Sequence, residues 1–136
     1  MKIKHYSIQS KRSDISKLEK ILESYHLEKS IGEEKYINFL IASSEAMLNA
    51  VVHGNKENPE KKVFIRIEDS ENLFILSIKD EGEGFDINKI PDPTENSNIY
   101  KENGRGVFII KSLVDEFICN TTKEGTEVIL KIKKGT

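Results

Sequence analysis

Apolar and polar positions in the first 28 residues predict a short strand followed by a helix. Residues 2–9 alternate weakly between the two kinds of side chain, which favours the strand. From Ser13 onward the apolar side chains fall three or four residues apart, as on one face of an amphipathic helix. These apolar positions are Ile15, Leu18, Ile21, Leu22 and Tyr25.

A second, longer helix is predicted to run to about His53. Ser30 and Glu33 have the spacing of a capping box, in which a hydroxyl and a carboxylate satisfy free N–H groups at the start of a helix. The expected apolar stripe of this helix consists of Ile37, Leu40, Met47, Leu48 and Val51.

After this helix the hydrophobic period changes from 3.6 to 2, which is typical of strands. Val63, Ile65 and Ile67 alternate with Phe64, Arg66 and Glu68. The turn residues 69–72 follow, and residues 73–78 are predicted to form a mostly buried second strand. Residues 81–103 have no periodicity and are rich in Gly, Pro, Asn, Asp and Glu, so we expect a lid or a ligand loop there.

A third helix is expected to begin at Gly104–Gly106 and to carry Val107, Ile110 and Val114 on its apolar side. Residues 117–120 and 127–133 then form a hairpin around a turn at residues 123–125. Because no crossover helix separates these last strands, the pattern predicts an α/β layer protein with an antiparallel or mixed sheet.

Composition narrows the classes of protein that the chain can belong to. Its 136 residues leave room for one domain, and 37% hydrophobic with 32% charged residues excludes a disordered or fibrous chain. The net charge is −2 and the basic residues are scattered, so no nucleic-acid partner is expected. No apolar stretch is long enough to span a membrane. Cys119 is the single cysteine, which excludes an internal disulfide and, with the absence of a secretion signal, favours the cytoplasm.

Glu45, Asn49 and His53 form the first group of residues that could carry chemistry. Their spacing of four residues places a carboxylate, an amide and an imidazole on neighbouring turns of the second helix. The amide oxygen of Asn49 is a hard ligand suited to Mg²⁺, and Glu45 is a suitable proton acceptor. The alternative is a solvated helix face, with His53 and Gly54 serving the helix end.

The second group is the run from Asp80 to Asp86, directly after a buried strand. An Asp at a strand end can accept a hydrogen bond from an exocyclic amine. Gly82 and Gly84 would let the backbone turn sharply and approach a planar ring. The alternative is an ordinary turn, because Asp and Gly are common turn residues.

The third group is Gly104-Arg105-Gly106, at the expected start of the last helix. Backbone N–H groups at a helix N-terminus attract phosphate, and the Arg105 guanidinium can bind phosphate oxygens through two N–H groups. A loop-to-helix junction with a surface arginine is the alternative. The motif is neither a Walker A sequence nor a Rossmann fingerprint.

Taken in order, these three groups resemble the motifs of the GHKL ATPase superfamily of histidine kinases, gyrases and mismatch-repair ATPases. Residues 44–55 resemble its N box, residues 80–85 its G1 box and residues 104–110 its G2 box. Within the superfamily the chain looks most like the bacterial anti-sigma-factor serine/threonine protein kinases, over about residues 33–133.

The resemblance implies a two-layer α/β sandwich of the Bergerat type, with a mostly antiparallel sheet covered on one face by helices. ATP would lie between the long helix, a lid at about residues 86–103 and the sheet. Glu45 would be the catalytic base and Asn49 would bind Mg²⁺. The residues that would contact ATP are Asn49, Asp80 at the adenine amino group, Gly82 and Gly84 beside the ring, Gly104, Arg105 and Gly106 at the phosphates, Val107, and Thr126 in support of the adenine site.

The implied activity is transfer of phosphate from ATP to a serine of an anti-anti-sigma (STAS-type) protein, combined with sequestration of a sigma factor. A homodimer formed through residues 1–28 is also implied. Two alternatives stay open. One is an ATP-binding partner-switch module without catalysis. The other is the catalytic domain of a histidine kinase. This alternative is less favoured, because no pair of dimerisation helices with a phosphoacceptor histidine is expected in about the first 30 residues.

Overall fold

The computed structural model describes residues 1–82 and 101–135, with the backbone alone for residues 101–105. Within these residues the chain forms a five-stranded sheet in the order β1-β2-β3-β5-β4. All four neighbouring pairs are antiparallel, so the sheet is antiparallel rather than mixed over the described strands. The strands are β1 (Lys2–Gln9), β2 (Lys62–Asp69), β3 (Leu73–Lys79), β4 (Glu116–Thr122) and β5 (Gly125–Lys133).

Helices cover one face of this sheet, as the two-layer prediction requires. They are α1 (Ile15–Glu23), α2 (Glu28–Ile31), α3 (Glu33–Leu48) and α4 (Lys101–Leu113), and a π-helical segment (Asn49–Gly54) continues α3. The alternation in β2 is confirmed, because Val63, Ile65 and Ile67 are buried under the helices while Phe64 points to the open face. Among the described residues, no helix is long and apolar enough to cross a membrane.

Helix α3 is the centre of the helical layer, with α1 and α4 packed beside it. Its Phe39 ring meets Phe74 of β3 edge-to-face, with 5.7 Å between ring centroids. The predicted apolar stripe is correct for Met47 and Val51, which are fully buried, but wrong for Ile37, which is 46% exposed. The buried face is instead formed by Tyr36, Phe39, Ala42, Ser43, Ala46 and Met47.

The predicted capping box is also wrong. Ser30 lies inside α2, and the N-cap of α3 is Gly32, which makes no side-chain capping bond. Gly32 has φ of +86°, a conformation that side-chain-bearing residues rarely adopt, so the break between α2 and α3 depends on this glycine. Glu33 and Glu34 then place negative charge at the positive end of the α3 dipole.

Two helix ends differ in detail from the prediction. Helix α3 continues as the π-helical segment to Gly54, one residue beyond the predicted end. Helix α4 starts at Lys101, three residues before the predicted start, so Gly106 lies in its second turn. The backbone N–H of Gly106 is therefore not one of the free donors at the helix start.

Candidate functional site

Glu45 and Asn49 lie one turn apart at the end of α3, where α4 crosses closest to it. A β-carbon on Gly106 of α4 would lie 3.2 Å from both the Oδ1 and the Nδ2 atoms of Asn49, and 3.4 Å from Oε2 of Glu45. Because Gly106 has no side chain, the polar ends of Asn49 and Glu45 have room beside α4. The expected place of Gly106 at the phosphates stays a prediction, but its N–H lies in the second turn of α4 and not at the helix start.

Asn49 fits a Mg²⁺ ion that brings most of its own ligands. The residue is only 8% exposed, and its amide borders the space beside Gly106. No cluster of three or more His, Cys, Asp or Glu suited to a metal is found in the described ranges. Because Mg²⁺ commonly binds through one or two protein oxygens together with phosphates and waters, a single amide oxygen is sufficient.

Asp80 is held in a fixed position just after β3. Its side chain is buried, and its Oδ1 atom accepts hydrogen bonds from the backbone N–H of Gly82 at 3.0 Å and of Thr126 at 3.1 Å. The backbone N–H of Asp80 donates to the carbonyl of Thr126 at 3.0 Å, which ties the end of β3 to β5. The carboxylate therefore cannot rotate without losing these bonds.

The surroundings of Asp80 disfavour its charge. Burial raises the pKa of this carboxyl, and the N–H groups of Gly82 and Thr126 together with the charge of Lys61 offset only part of that effect. A buried carboxyl with a raised pKa lowers the stability of the fold when it is charged. Such groups are therefore often found at functional sites, and Asp80 is a candidate.

Three glycines enclose Asp80. A β-carbon on Gly54 would lie closer than 3.0 Å to Oδ2 of Asp80, and one on Gly82 would overlap the carbonyl of Gly54. A β-carbon on Gly125 would overlap the carbonyl of Asp80, and its φ of +144° also favours glycine. The helix end at Gly54, the turn at Gly82 and the hairpin at Gly125 therefore meet around this carboxyl.

Thr126 and Val107 also lie at this end of the molecule. Thr126 is buried beside Asp80, and its hydroxyl shares a hydrogen bond of 3.1 Å with the hydroxyl of Thr121. Val107 follows Gly106 in α4 and is 6% exposed. His53 is half-buried in the last turn of the π-helical segment, which agrees with its expected place at the helix end.

Some predicted site residues lie outside the described part of the chain. Gly84 and most of the expected lid fall there. Gly104 and Arg105 have a described helical backbone in α4, but the side chain of Arg105 is outside the described residues.

The contacts of Gly54 and Gly125 with Asp80, and the hydrogen bonds of the Asn55 side chain, were not predicted from the sequence. Gly54 and Asn55 close the first motif, and Gly125 directly precedes Thr126. The residue types gave a signal in each case. A glycine or asparagine at a helix end or in a hairpin turn often lies where another part of the chain comes close to the backbone. Which partner is approached could be learned only from the fold.

Comparisons with known proteins agree with this geometry. A family model described as "Histidine kinase-like ATPase domain" matches residues 8–132. The serine-protein kinase RsbW of Staphylococcus aureus strain MSSA476 is 41% identical over 83 residues, which is 56% of this chain and 52% of that protein. RsbW of strain JH9 matches with the same identity and coverage. The matched region thus spans about half the length of these relatives.

Two solved structures share the fold. The mycobacterial sensor histidine kinase MprB aligns with a TM-score of 0.60 at 13% identity, covering 97% of this chain and 99% of that one. The histidine kinase domain of the blue-light activated histidine kinase from Erythrobacter litoralis EL346 aligns with a TM-score of 0.55 at 22% identity, covering 73% of this chain and 47% of that one. At these identities the likeness shows the fold alone. An α/β fold with a helix-covered antiparallel sheet is thereby confirmed.

Proposed function

The chain belongs to the family of histidine kinase-like ATPase domains, and on that premise we propose that it transfers the γ-phosphoryl group of ATP to a serine of a partner protein. The observation that carries the proposal is the packing of Gly54 and Thr126 against Asp80, with Gly106 against Asn49 and Glu45. The π-helical segment Asn49–Gly54 joins these two sets of contacts, which supports a single nucleotide site.

Asp80 is the proposed acceptor for the exocyclic amine of adenine. Its Oδ1 atom is occupied by the N–H groups of Gly82 and Thr126, and its Oδ2 atom faces the backbone at Gly54, where no side chain intervenes. A buried acceptor held this firmly discriminates against bases that lack the donor, because binding them leaves the acceptor unpaired. Gly82 and Gly84 are proposed to border the ring.

Asn49 is the proposed protein ligand of Mg²⁺, with the phosphates of ATP completing the coordination. When bound, the ATP–Mg²⁺ complex supplies the phosphoryl group and neutralises the charge that develops during transfer. Gly106 keeps the space beside Asn49 open, and Gly104, Arg105 and Val107 are proposed to contact the phosphates.

Glu45 is the proposed general base. It lies one turn before Asn49 on the same helix, is partly exposed, and approaches the same gap beside Gly106. A serine hydroxyl entering from solvent could therefore donate its proton to Glu45 while it faces the phosphates. Of the three atoms nearest to a β-carbon at Gly106, Oε2 of Glu45 is the one that belongs to a carboxylate.

The choice of serine, and of the partners, is supported by the relative named serine-protein kinase RsbW. We propose an anti-anti-sigma protein of the STAS type as the phosphate acceptor, a sigma factor as the sequestered partner, and the cytoplasm as the place of action. We also propose a homodimer formed through residues 1–28, since β1 is an edge strand whose free backbone groups can pair with a second copy.

The proposal is tested with the chain, Mg²⁺ and ATP labelled at the γ-phosphate, incubated with purified candidate STAS-type proteins. Labelled phosphoserine on one of them supports the kinase. ATP binding without transfer to any candidate supports the alternative of a partner-switch module without catalysis. Transfer to a histidine would favour the histidine kinase alternative and would overturn the proposal.

A further inference from the structure

Asn55 is a buried polar residue that joins four separate parts of the chain. It follows the π-helical segment directly and is 1% exposed. Its Nδ2 atom donates to the hydroxyl of Ser10 at 2.7 Å and to the carbonyl of Lys62 at 3.0 Å. Its Oδ1 atom accepts from the backbone N–H of Glu81 at 2.7 Å. The end of the first motif is thus bonded to the ends of β1 and β3 and to the start of β2.

The chemistry of these partners determines the orientation of the Asn55 amide. A backbone N–H can only donate and a carbonyl can only accept, so Oδ1 must face Glu81 and Nδ2 must face Lys62. The Ser10 hydroxyl donates its own proton to the carbonyl of Lys61 at 2.7 Å and is therefore an acceptor for Asn55. Both protons of the amide are used.

Asn55, Lys62 and Glu81 form a closed ring of hydrogen bonds. The backbone N–H of Lys62 donates to Oε2 of Glu81 at 2.8 Å, while the Lys62 carbonyl and the Glu81 N–H both bond to Asn55. Glu81 is the residue between Asp80 and Gly82. The ring therefore fixes the peptide unit that follows Asp80.

The geometry points to Asn55 as a positioning residue that sets the Asp80 carboxylate for recognition of the adenine amino group. This inference rests on the proposed function. Two contacts carry the effect, because Asn55 holds the N–H of Glu81 while its chain neighbour Gly54 packs against Oδ2 of Asp80. Loss of the Asn55 amide would release the N–H of Glu81, and with it the peptide unit that follows Asp80.

A merely structural role for Asn55 predicts a different result. In that case its removal would lower stability and weaken every nucleotide equally. A positioning role predicts a selective loss of affinity for nucleotides that carry the amine. The two roles are separated by comparing ATP with purine riboside triphosphate, which has a hydrogen atom in place of the amino group.

The experiment measures the affinity of the full chain for both nucleotides by calorimetry, with unfolding midpoints recorded in parallel. The variant is Asn55→Ala. Ser10→Ala is the matched control, since it removes a bond of the same network but leaves the bond between Asn55 and Glu81. Asn55→Ser is used if alanine prevents folding, because its shorter side chain does not span the distance to the Glu81 N–H.

We expect Asn55→Ala to reduce the preference for ATP over purine riboside triphosphate by at least about tenfold, because a misplaced buried acceptor loses its selectivity. Ser10→Ala should keep the wild-type preference despite a lower unfolding midpoint. An unchanged preference in Asn55→Ala, or an equal loss in the Ser10→Ala control, would overturn the inference alone. A wild-type chain without any preference would overturn the adenine site itself, and the inference with it.

Discussion

The side chain of Asp80 packs against Gly54 in the space that a side chain at position 54 would occupy. A β-carbon at position 54 would lie closer than 3.0 Å to Oδ2 and 3.0 Å from Cβ of Asp80. The helix that carries Glu45 and Asn49 therefore ends against the carboxylate proposed to hold adenine. The two ends of the proposed nucleotide site are joined by the six residues of the π-helical segment. Such segments are frequent at functional sites.

Gly54→Ala is expected to displace the Asp80 carboxylate. The clash cannot be relieved by rotation of Asp80, because its Oδ1 atom is held by two backbone N–H groups. Affinity for ATP should fall by at least about tenfold, since one hydrogen bond to a charged acceptor is worth roughly 1.5–3 kcal/mol. Titration calorimetry measures the change.

Gly32→Ala is the control for that variant. It introduces an alanine at φ of +86° with no atom within 4 Å, so it strains the backbone far from the site. It should lower the free energy of unfolding by roughly 1–3 kcal/mol and leave ATP affinity within about twofold of wild type. Equal affinity losses in the two variants would mean that Gly54 acts through stability only.

Asp80→Asn is expected to weaken ATP binding without unfolding the chain. An asparagine at position 80 can still accept from the N–H groups of Gly82 and Thr126 through its carbonyl oxygen, but its NH₂ group would face the adenine amine as a second donor. At neutral pH the variant should be at least as stable as wild type, because it removes a buried charge.

The stability difference between Asp80→Asn and wild type should depend on pH. Burial raises the pKa of Asp80 in the folded state above the ordinary value of 3.8, so the folded protein binds a proton more readily than the unfolded chain. The contribution of Asp80 to stability is therefore greatest below pH 3.8 and is lost as the pH rises through the folded-state pKa. Urea unfolding between about pH 4 and pH 7 should show the advantage of the variant growing with pH. An advantage that shrinks as the pH rises would contradict the burial of a charged Asp80.

Glu45→Gln is expected to separate binding from transfer. Glutamine has nearly the same size as glutamate but cannot take a proton from a serine hydroxyl. Phosphate transfer to the partner should fall at least about 100-fold, with ATP affinity within about twofold of wild type.

Glu34→Gln, an exposed position in the first turn of the same helix, serves as the control for Glu45→Gln and should transfer normally. Labelled-phosphate transfer and calorimetry measure the two quantities. A large loss of ATP affinity in Glu45→Gln would assign Glu45 to binding rather than to proton transfer.

Cys119 is expected to react slowly with alkylating reagents in the folded protein. Burial, together with the charge of Asp80, raises the pKa of its thiol to about 11 from an ordinary value of 9.0, although Lys111 opposes the shift. At pH 8 the thiolate fraction, and with it the rate, should be about 100-fold lower than in the urea-unfolded chain. Equal rates in the two states would show that the folded surroundings of Cys119 do not raise the pKa of its thiol.

The strands and the site motifs could be predicted from the sequence because each depends on a local pattern. The alternation at Val63, Ile65 and Ile67 follows directly from a sheet with one covered face. The order of the strands could not be predicted, since the same alternation is compatible with several pairings. The predicted burial of Ile37 in α3 failed because this side chain is 46% exposed, on a face that no described element covers.

Contacts between motifs were the part of the site that the sequence could not supply. Asn49 and Asp80 could be proposed from residue type and position, but the steric roles of Gly54 and Gly106 depend on groups that approach from distant parts of the chain. Helix starts were also misjudged. The N-cap of α3 is Gly32 rather than Ser30. A glycine adopts the positive φ needed for the turn between α2 and α3, which a serine rarely adopts.

We propose above that Asn49, Asp80 and the residues around them form one ATP site. Calorimetric titration of the wild-type chain with ATP, with and without Mg²⁺, tests this proposal directly. We expect one ATP per chain, tighter binding with Mg²⁺, and a strong reduction of the affinity in Asp80→Asn. No heat of binding at millimolar ATP, or binding that is indifferent to the Asp80→Asn change, would contradict it.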